Sequence, residues 1–152
     1  MKKIIKIMSF VASLTLFSQS LTGAMQPSHD DFKMMSEGFF AAKNIYSIRN
    51  KTQLENKIND FVINIKNNRV SNDIKIKIVE YICAPNHPFM RFCVMSLGIN
   101  SDETRRNILR ILNDHRNGEV NMSLAEIVKN NKVEHLQMLA TFFSTIYNTI
   151  NF

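Results

Sequence analysis

The clearest pattern of apolar and polar positions lies between Ser123 and Ile150. On each side of a polar joint at 130–132, apolar residues recur at three- and four-residue steps. This period indicates helices with one buried face and does not fit a strand. Ser123 and Glu126 have the S-x-x-E spacing of a capping box, which predicts the start of the first helix. The periodic positions are Leu124, Ile127 and Val128, then Val133, Leu136, Leu139, Phe143 and Ile146.

The same helical period precedes this hairpin. Thr52 and Glu55 form a second S/T-x-x-E box, Pro88 suits the first turn of a helix, and Gly98 and Gly118 suit helix ends. Ser101-Asp102-Glu103 supplies a further start signal. The helices predicted from these signals cover 32–48, 52–67, 71–83, 88–97 and 101–117.

Two of these segments have apolar patterns that differ from a simple one-faced helix. Ile74, Ile76 and Ile78 alternate with lysines as in an exposed strand, but 74, 78, 79 and 82 also share a helix face. No partner strand is evident, so a helix is favoured. The segment 88–97 is apolar nearly all round, which predicts a central helix.

The fold class predicted from this pattern is all-α. Six to seven short helices, joined by about two to six residues, form a compact array or bundle in which sequential helices are antiparallel. The length suits a single helical domain at 25–152.

The first 24 residues have the three parts of a secretory signal. Lys2, Lys3 and Lys6 precede an uncharged apolar run of 11 residues at 7–17, and small residues end at Ala24. The run is shorter than the roughly 20 residues that cross a bilayer. We therefore predict cleavage near Ala24 and export to the periplasm or outside the cell. A retained anchor and a cytoplasmic protein are the alternatives.

The charge of the chain comes in part from this segment. Removing 1–24 removes three lysines and no acid, so the formal charge falls from +6 to +3. That excess is too small to predict a nucleic-acid partner. The strongest cationic group is Arg105, Arg106, Arg110 and Arg116, which could face an anionic partner such as a membrane surface. The favoured alternative is an ordinary solvated face, partly neutralised by acids at 102, 103 and 114.

The segment 123–140 resembles the two helices of an ankyrin repeat. Leu124 stands at the first leucine of the family pattern, Lys129-Asn130 at its usual turn, and Val133-Glu134 before its second helix. This sequence departs from the pattern at Met122-Ser123, Ala125 and Asn131-Lys132, where the family has Thr-Pro, His and Gly-His. The resemblance implies a degenerate or terminal repeat that binds another protein. A generic helical hairpin is the alternative.

The candidate chemistry is sparse. Cys83 and Cys93 could form a disulfide in an oxidising compartment, although their predicted offset on neighbouring helices favours buried free thiols. His87, between them, could complete a Cys/His metal site, but no histidine has a recognised metal spacing. No nucleophile elbow, P-loop or dinucleotide motif occurs. The sequence thus predicts neither an enzyme nor a metal or cofactor.

These observations favour an exported, all-helical protein that binds another protein. The alternatives are a small enzyme or metal-handling protein using Cys83, His87 and Cys93, and a membrane-surface protein using the arginine face.

Overall fold

The computed structural model describes residues 45–116 and 118–151, and within them the chain forms six α-helices and no strand. The all-α prediction is confirmed, including the helix at 71–83. The proposed signal peptide and most of the first predicted helix lie outside the described residues, although Ile45 and Tyr46 are helical. The helices are α1 Lys51–Asn67, α2 Asn72–Ile82, α3 Pro88–Leu97, α4 Ser101–Asp114, α5 Met122–Asn130 and α6 Val133–Ile150.

Asparagine residues begin three of these helices. The side-chain oxygens of Asn50, Asn100 and Asn121 accept from the backbone N–H three residues on, at 3.0–3.1 Å. The predicted capping boxes are therefore wrong, and the helices start one or two residues earlier than expected. Ser123 instead donates its hydroxyl to the Asp114 carboxylate. Ser71 caps α2, where its side chain accepts from the backbone N–H of Ile74.

Glycine ends α3 but not α4. Gly98 has φ of 64° and caps α3 in the left-handed conformation that favours glycine. Gly118, with φ of 81°, lies in the loop beyond α4, which already ends at Asp114. The predicted end at Gly118 is therefore corrected.

Helix α6 is the centre of the fold. Eleven consecutive residues, 136–146, are buried, so every side of the helix is covered in this stretch. It packs against α1, α2, α3 and α4, while α5 rests on α1 and α4. The prediction that 88–97 would be central is wrong, because α3 buries one face and leaves Val94 and Met95 each 39% exposed. At the core, the rings of Phe89 and Phe142 lie 5.1 Å apart.

Three buried polar side chains of α6 have backbone partners. Gln137 donates to the carbonyl oxygens of Ile48 at 2.8 Å and Tyr46 at 3.4 Å, and so fixes the segment before α1 to the central helix. Thr141 and Thr145 bond to carbonyl oxygens four residues back, at 2.9 Å each. These bonds remove most of the cost of burying polar groups in the core.

Lys75 lies on the buried face of α2 and contacts the end of α1. Its Nζ donates to the carbonyl oxygens of Asn68 at 3.0 Å and Lys66 at 3.5 Å, where α1 leaves its last carbonyls unpaired. The lysine is only 6% exposed, whereas Ile74 is 50% and Ile76 42% exposed. The buried face of α2 is therefore rotated from the predicted isoleucine face.

None of the described helices combines the length and apolar character needed to cross a bilayer.

Candidate functional site

The four arginines of the predicted anionic-partner face do not act as one group. Arg105 pairs with Asp102 at 3.7 Å, Arg110 with Glu126 at 3.6 Å, and Arg116 with Glu119 at 3.9 Å. The acids at 119 and 126, rather than those at 103 and 114, supply two of these partners. Arg106 makes no ion pair within the described residues. The structure therefore leaves one unpaired guanidinium group here instead of a continuous cationic surface.

Both cysteines are buried free thiols in the structure. Burial raises the pKa of Cys83 to about 12, although the nearby Arg105 charge opposes the rise. Burial also raises the pKa of Cys93 well above its ordinary value, and the neighbouring Cys83 adds to the effect. The thiolate is the reactive form, so these environments disfavour nucleophilic chemistry and metal binding.

His87 lies in the connector between these cysteines and is only 5% exposed. Its Nδ1 is buried without a hydrogen-bond partner among the described residues. The imidazole meets the Tyr81 ring edge-on, with centroids 5.3 Å apart. Burial lowers the pKa of His87 to about 4, so the ring is neutral at pH 7. Across the residues that the structure describes, no three His, Cys, Asp or Glu side chains are grouped as metal ligands.

One groove opens where the α3–α4 turn faces the start of α6. It has a volume of about 220 Å³, with Asn100, Glu103, Asn107 and His135 on its walls and Leu139 among its apolar lining. The N-termini of α4 and α6 both border it. The partial positive charge of these helix ends offsets the negative charge of Glu103. No single charge type is favoured for a ligand of this groove.

A second groove lies between α1 and the loop before α5. We call it the α1–α5 groove; its volume is about 270 Å³. Its lining residues are Glu55, Asn56, Asn59, Gly118, Glu119, Val120, Asn121 and Leu124.

One exposed apolar side chain lines the α1–α5 groove, and a second lies close to it in the chain. Val120, in the lining, is 72% exposed, and Met122, two residues later, is 71% exposed. Leu124, by contrast, is buried at 1%. Adjacent exposed apolar side chains beside a concave surface are typical of protein interaction sites.

Sequence reasoning missed this groove. Val120 was visible as an apolar residue in a loop, outside every helical stripe. Its proximity to α1 was not visible, because the two segments are about sixty residues apart in the chain.

No known protein family, curated protein or solved structure matches this chain. The resemblance of 123–140 to an ankyrin repeat therefore stays a prediction. In the structure this segment covers α5 and the first half of α6, joined by Asn131 and Lys132.

Proposed function

We propose that this chain is an exported helical protein that binds another protein through the α1–α5 groove and has no catalytic role. The observation that carries the proposal is the exposure of Val120 in the lining of a concave surface, with Met122 equally exposed two residues further along the chain. Burying two such side chains on binding would contribute about 1.5–3 kcal/mol each. In the isolated chain these apolar side chains are exposed to water, which is unfavourable. A partner that buries them gains this free energy on binding.

The surroundings of the cysteines support the same proposal. Both thiols are buried and have raised pKa values, which suits them to packing more than to reaction. Burial also limits their oxidation in the compartment to which the proposed signal peptide would deliver the protein.

The binding proposal is tested by site-specific photo-crosslinking in the native host. A photoreactive residue at Val120 is expected to form a defined adduct with one protein, identified by mass spectrometry. In a separate co-purification assay without a photoreactive residue, the double variant Val120→Asp with Met122→Asp should no longer retain the protein identified by crosslinking. Tyr81→Ser is the matched control, because Tyr81 is 70% exposed but lies on α2. Equal loss in the control, or no adduct from position 120, would refute the groove as the binding site.

The export proposal has its own measurement. The mature protein is expected outside the cytoplasm with Met25 as its first residue. Recovery of the protein with residues 1–24 intact in the cytoplasm would contradict it.

A further inference from the structure

We infer that the α1–α5 groove takes an extended segment of its partner in which an apolar side chain stands next to lysine or arginine. This inference rests on the proposed function and specifies the chemistry of the partner.

The amides on the α1 wall favour an extended segment. Asn56 and Asn59 are three residues apart on one helix, so their Cβ atoms lie about 5–6 Å apart. Neither side chain has a hydrogen-bond partner in the part of the chain that the structure describes. Each amide can both donate and accept, as a peptide group does. Backbone groups on one edge of an extended chain recur every two residues, roughly 6.6 Å. A partner helix would offer no such groups, because it bonds its backbone internally.

The charge of the groove favours a cationic neighbour. Glu55 has no ion-pair partner in the described ranges, and no lysine or arginine lines the groove. The two lysines of α1 nearest to it in sequence are engaged elsewhere. Lys51 donates to the carbonyl oxygen of Val128 at 3.2 Å, and Lys57 lies over the Phe61 ring at 5.4 Å. A carboxylate thus has no ion-pair partner in the described ranges, on a chain whose formal charge is +3 once residues 1–24 are removed.

The second carboxylate of the groove adds to this field. Glu119 lies on the opposite wall, and its only ion pair among the described residues is with Arg116 at 3.9 Å, both side chains being largely exposed. A pair of this kind is weak, so a lysine or arginine of a partner can compete for Glu119.

The volume of the whole groove limits the size of the ligand. Its volume of about 270 Å³ lies just below the roughly 300–1,000 Å³ typical of small-molecule sites. It therefore suits one or two side chains rather than a cofactor. Val120 lines the groove, and Met122 is exposed two residues later; its flexible side chain can adapt to apolar residues of different shape.

The test uses synthetic peptides in which one leucine is flanked by two lysines, two glutamines or two glutamates within a glycine–serine frame. Binding to the full chain is followed by NMR, through the side-chain amides of Asn56 and Asn59 and the methyl groups of Val120 and Met122. The lysine peptide is expected to shift these signals and to bind more tightly than the other two. Its affinity should fall as salt is raised from low to physiological concentration.

Two variants separate charge recognition from folding. Glu55→Gln should weaken the lysine peptide by about two- to fivefold, as expected for a partly exposed ion pair, and leave the glutamine peptide unchanged. Glu80→Gln, which removes an exposed acid on α2, should change neither affinity. The NMR spectrum of each free variant reports whether the fold is retained.

The inference is overturned if the glutamine or glutamate peptide binds as tightly as the lysine peptide, or if the shifted signals lie outside the groove. It also fails if no peptide binds while position 120 still crosslinks to a protein; the proposed function then survives. If the lysine peptide binds but crosslinking finds no partner, the peptide preference is supported and the proposed function fails.

Discussion

Acidification is expected to destabilise this protein through His87. His87 is buried, and its Nδ1 has no hydrogen-bond partner within the described residues. Burial therefore favours the neutral imidazole over the charged imidazolium. The folded chain therefore resists protonation until about pH 4, whereas the unfolded chain takes up the proton near pH 6.5. Because the folded pKa is depressed, the stability is fully present above pH 6.5 and is lost as pH falls toward 4.

The magnitude follows from these two pKa values. Linkage gives a loss of about 2 kcal/mol at pH 5 and about 3 kcal/mol below pH 4. Since small domains are stable by only about 5–15 kcal/mol, the loss is easily measured. Urea unfolding followed by circular dichroism at pH 7 and pH 5 gives the free energy of unfolding.

The decisive comparison is with His87→Gln. Moving from pH 7 to pH 5 should cost the natural chain about 2 kcal/mol more than the variant, which lacks the titrating ring. His135→Gln is the matched control and should keep the full acid-dependent loss, because His87 is still present. If His87→Gln loses as much stability on acidification as the natural chain, the assignment to His87 is refuted.

Three further substitutions test the packing of the fold. Gln137→Leu should cost about 1–3 kcal/mol, since it leaves the part-buried carbonyl oxygen of Ile48 without this donor. Asn121→Ala should cost about 1–2 kcal/mol, because it removes both the cap of α5 and the bond from Nδ2 to the Ile111 carbonyl oxygen at 2.8 Å. Phe142→Ala should cost about 3–5 kcal/mol, because it opens a cavity in the hydrophobic core around α6. Urea unfolding measures all three.

Exposed positions provide controls for these variants. Gln53→Leu replaces an exposed glutamine on α1, and Asn113→Ala an exposed asparagine on α4. Each should change the free energy of unfolding by less than about 0.5 kcal/mol. If Gln137→Leu is equally mild, its hydrogen bond does not anchor the segment before α1. If Asn121→Ala is equally mild, the cap is not needed.

Periodicity predicted the helices well, because an amphipathic stripe is a local property of the chain. It predicted the helix starts poorly. Thr52 and Ser123 carry a glutamate three residues on, but the asparagines at 50 and 121 cap two residues earlier, accepting from the N–H groups of Gln53 and Leu124. Local sequence does not decide between two adjacent caps of similar strength; packing of the first turn does.

The local sequence pattern also could not predict which helix is central. Both 88–97 and 133–150 are strongly apolar, but α6 has 18 residues and α3 only 10. At 1.5 Å per residue, α6 is about 27 Å long and can contact four helices along its length. Its buried polar residues, including Gln137 and Thr141, obscured this role in the sequence.

The groove could not be predicted for a related reason. The side chains that line it come from α1 and from the loop before α5, and only the tertiary fold brings them together. The sequence analysis selected the cysteines and arginines instead, because the chemistry of these residue types is recognisable without a structure. The structure gives the cysteines buried sites and three of the four arginines ion-pair partners.

The position of α6 in the chain has a consequence for biosynthesis. The ribosome makes α1 to α5 before the helix around which four of them pack. Until that helix emerges, the earlier helices lack the packing partner that four of them share, although α1, α2, α4 and α5 also contact one another. Folding is thereby delayed until synthesis of this region is nearly complete.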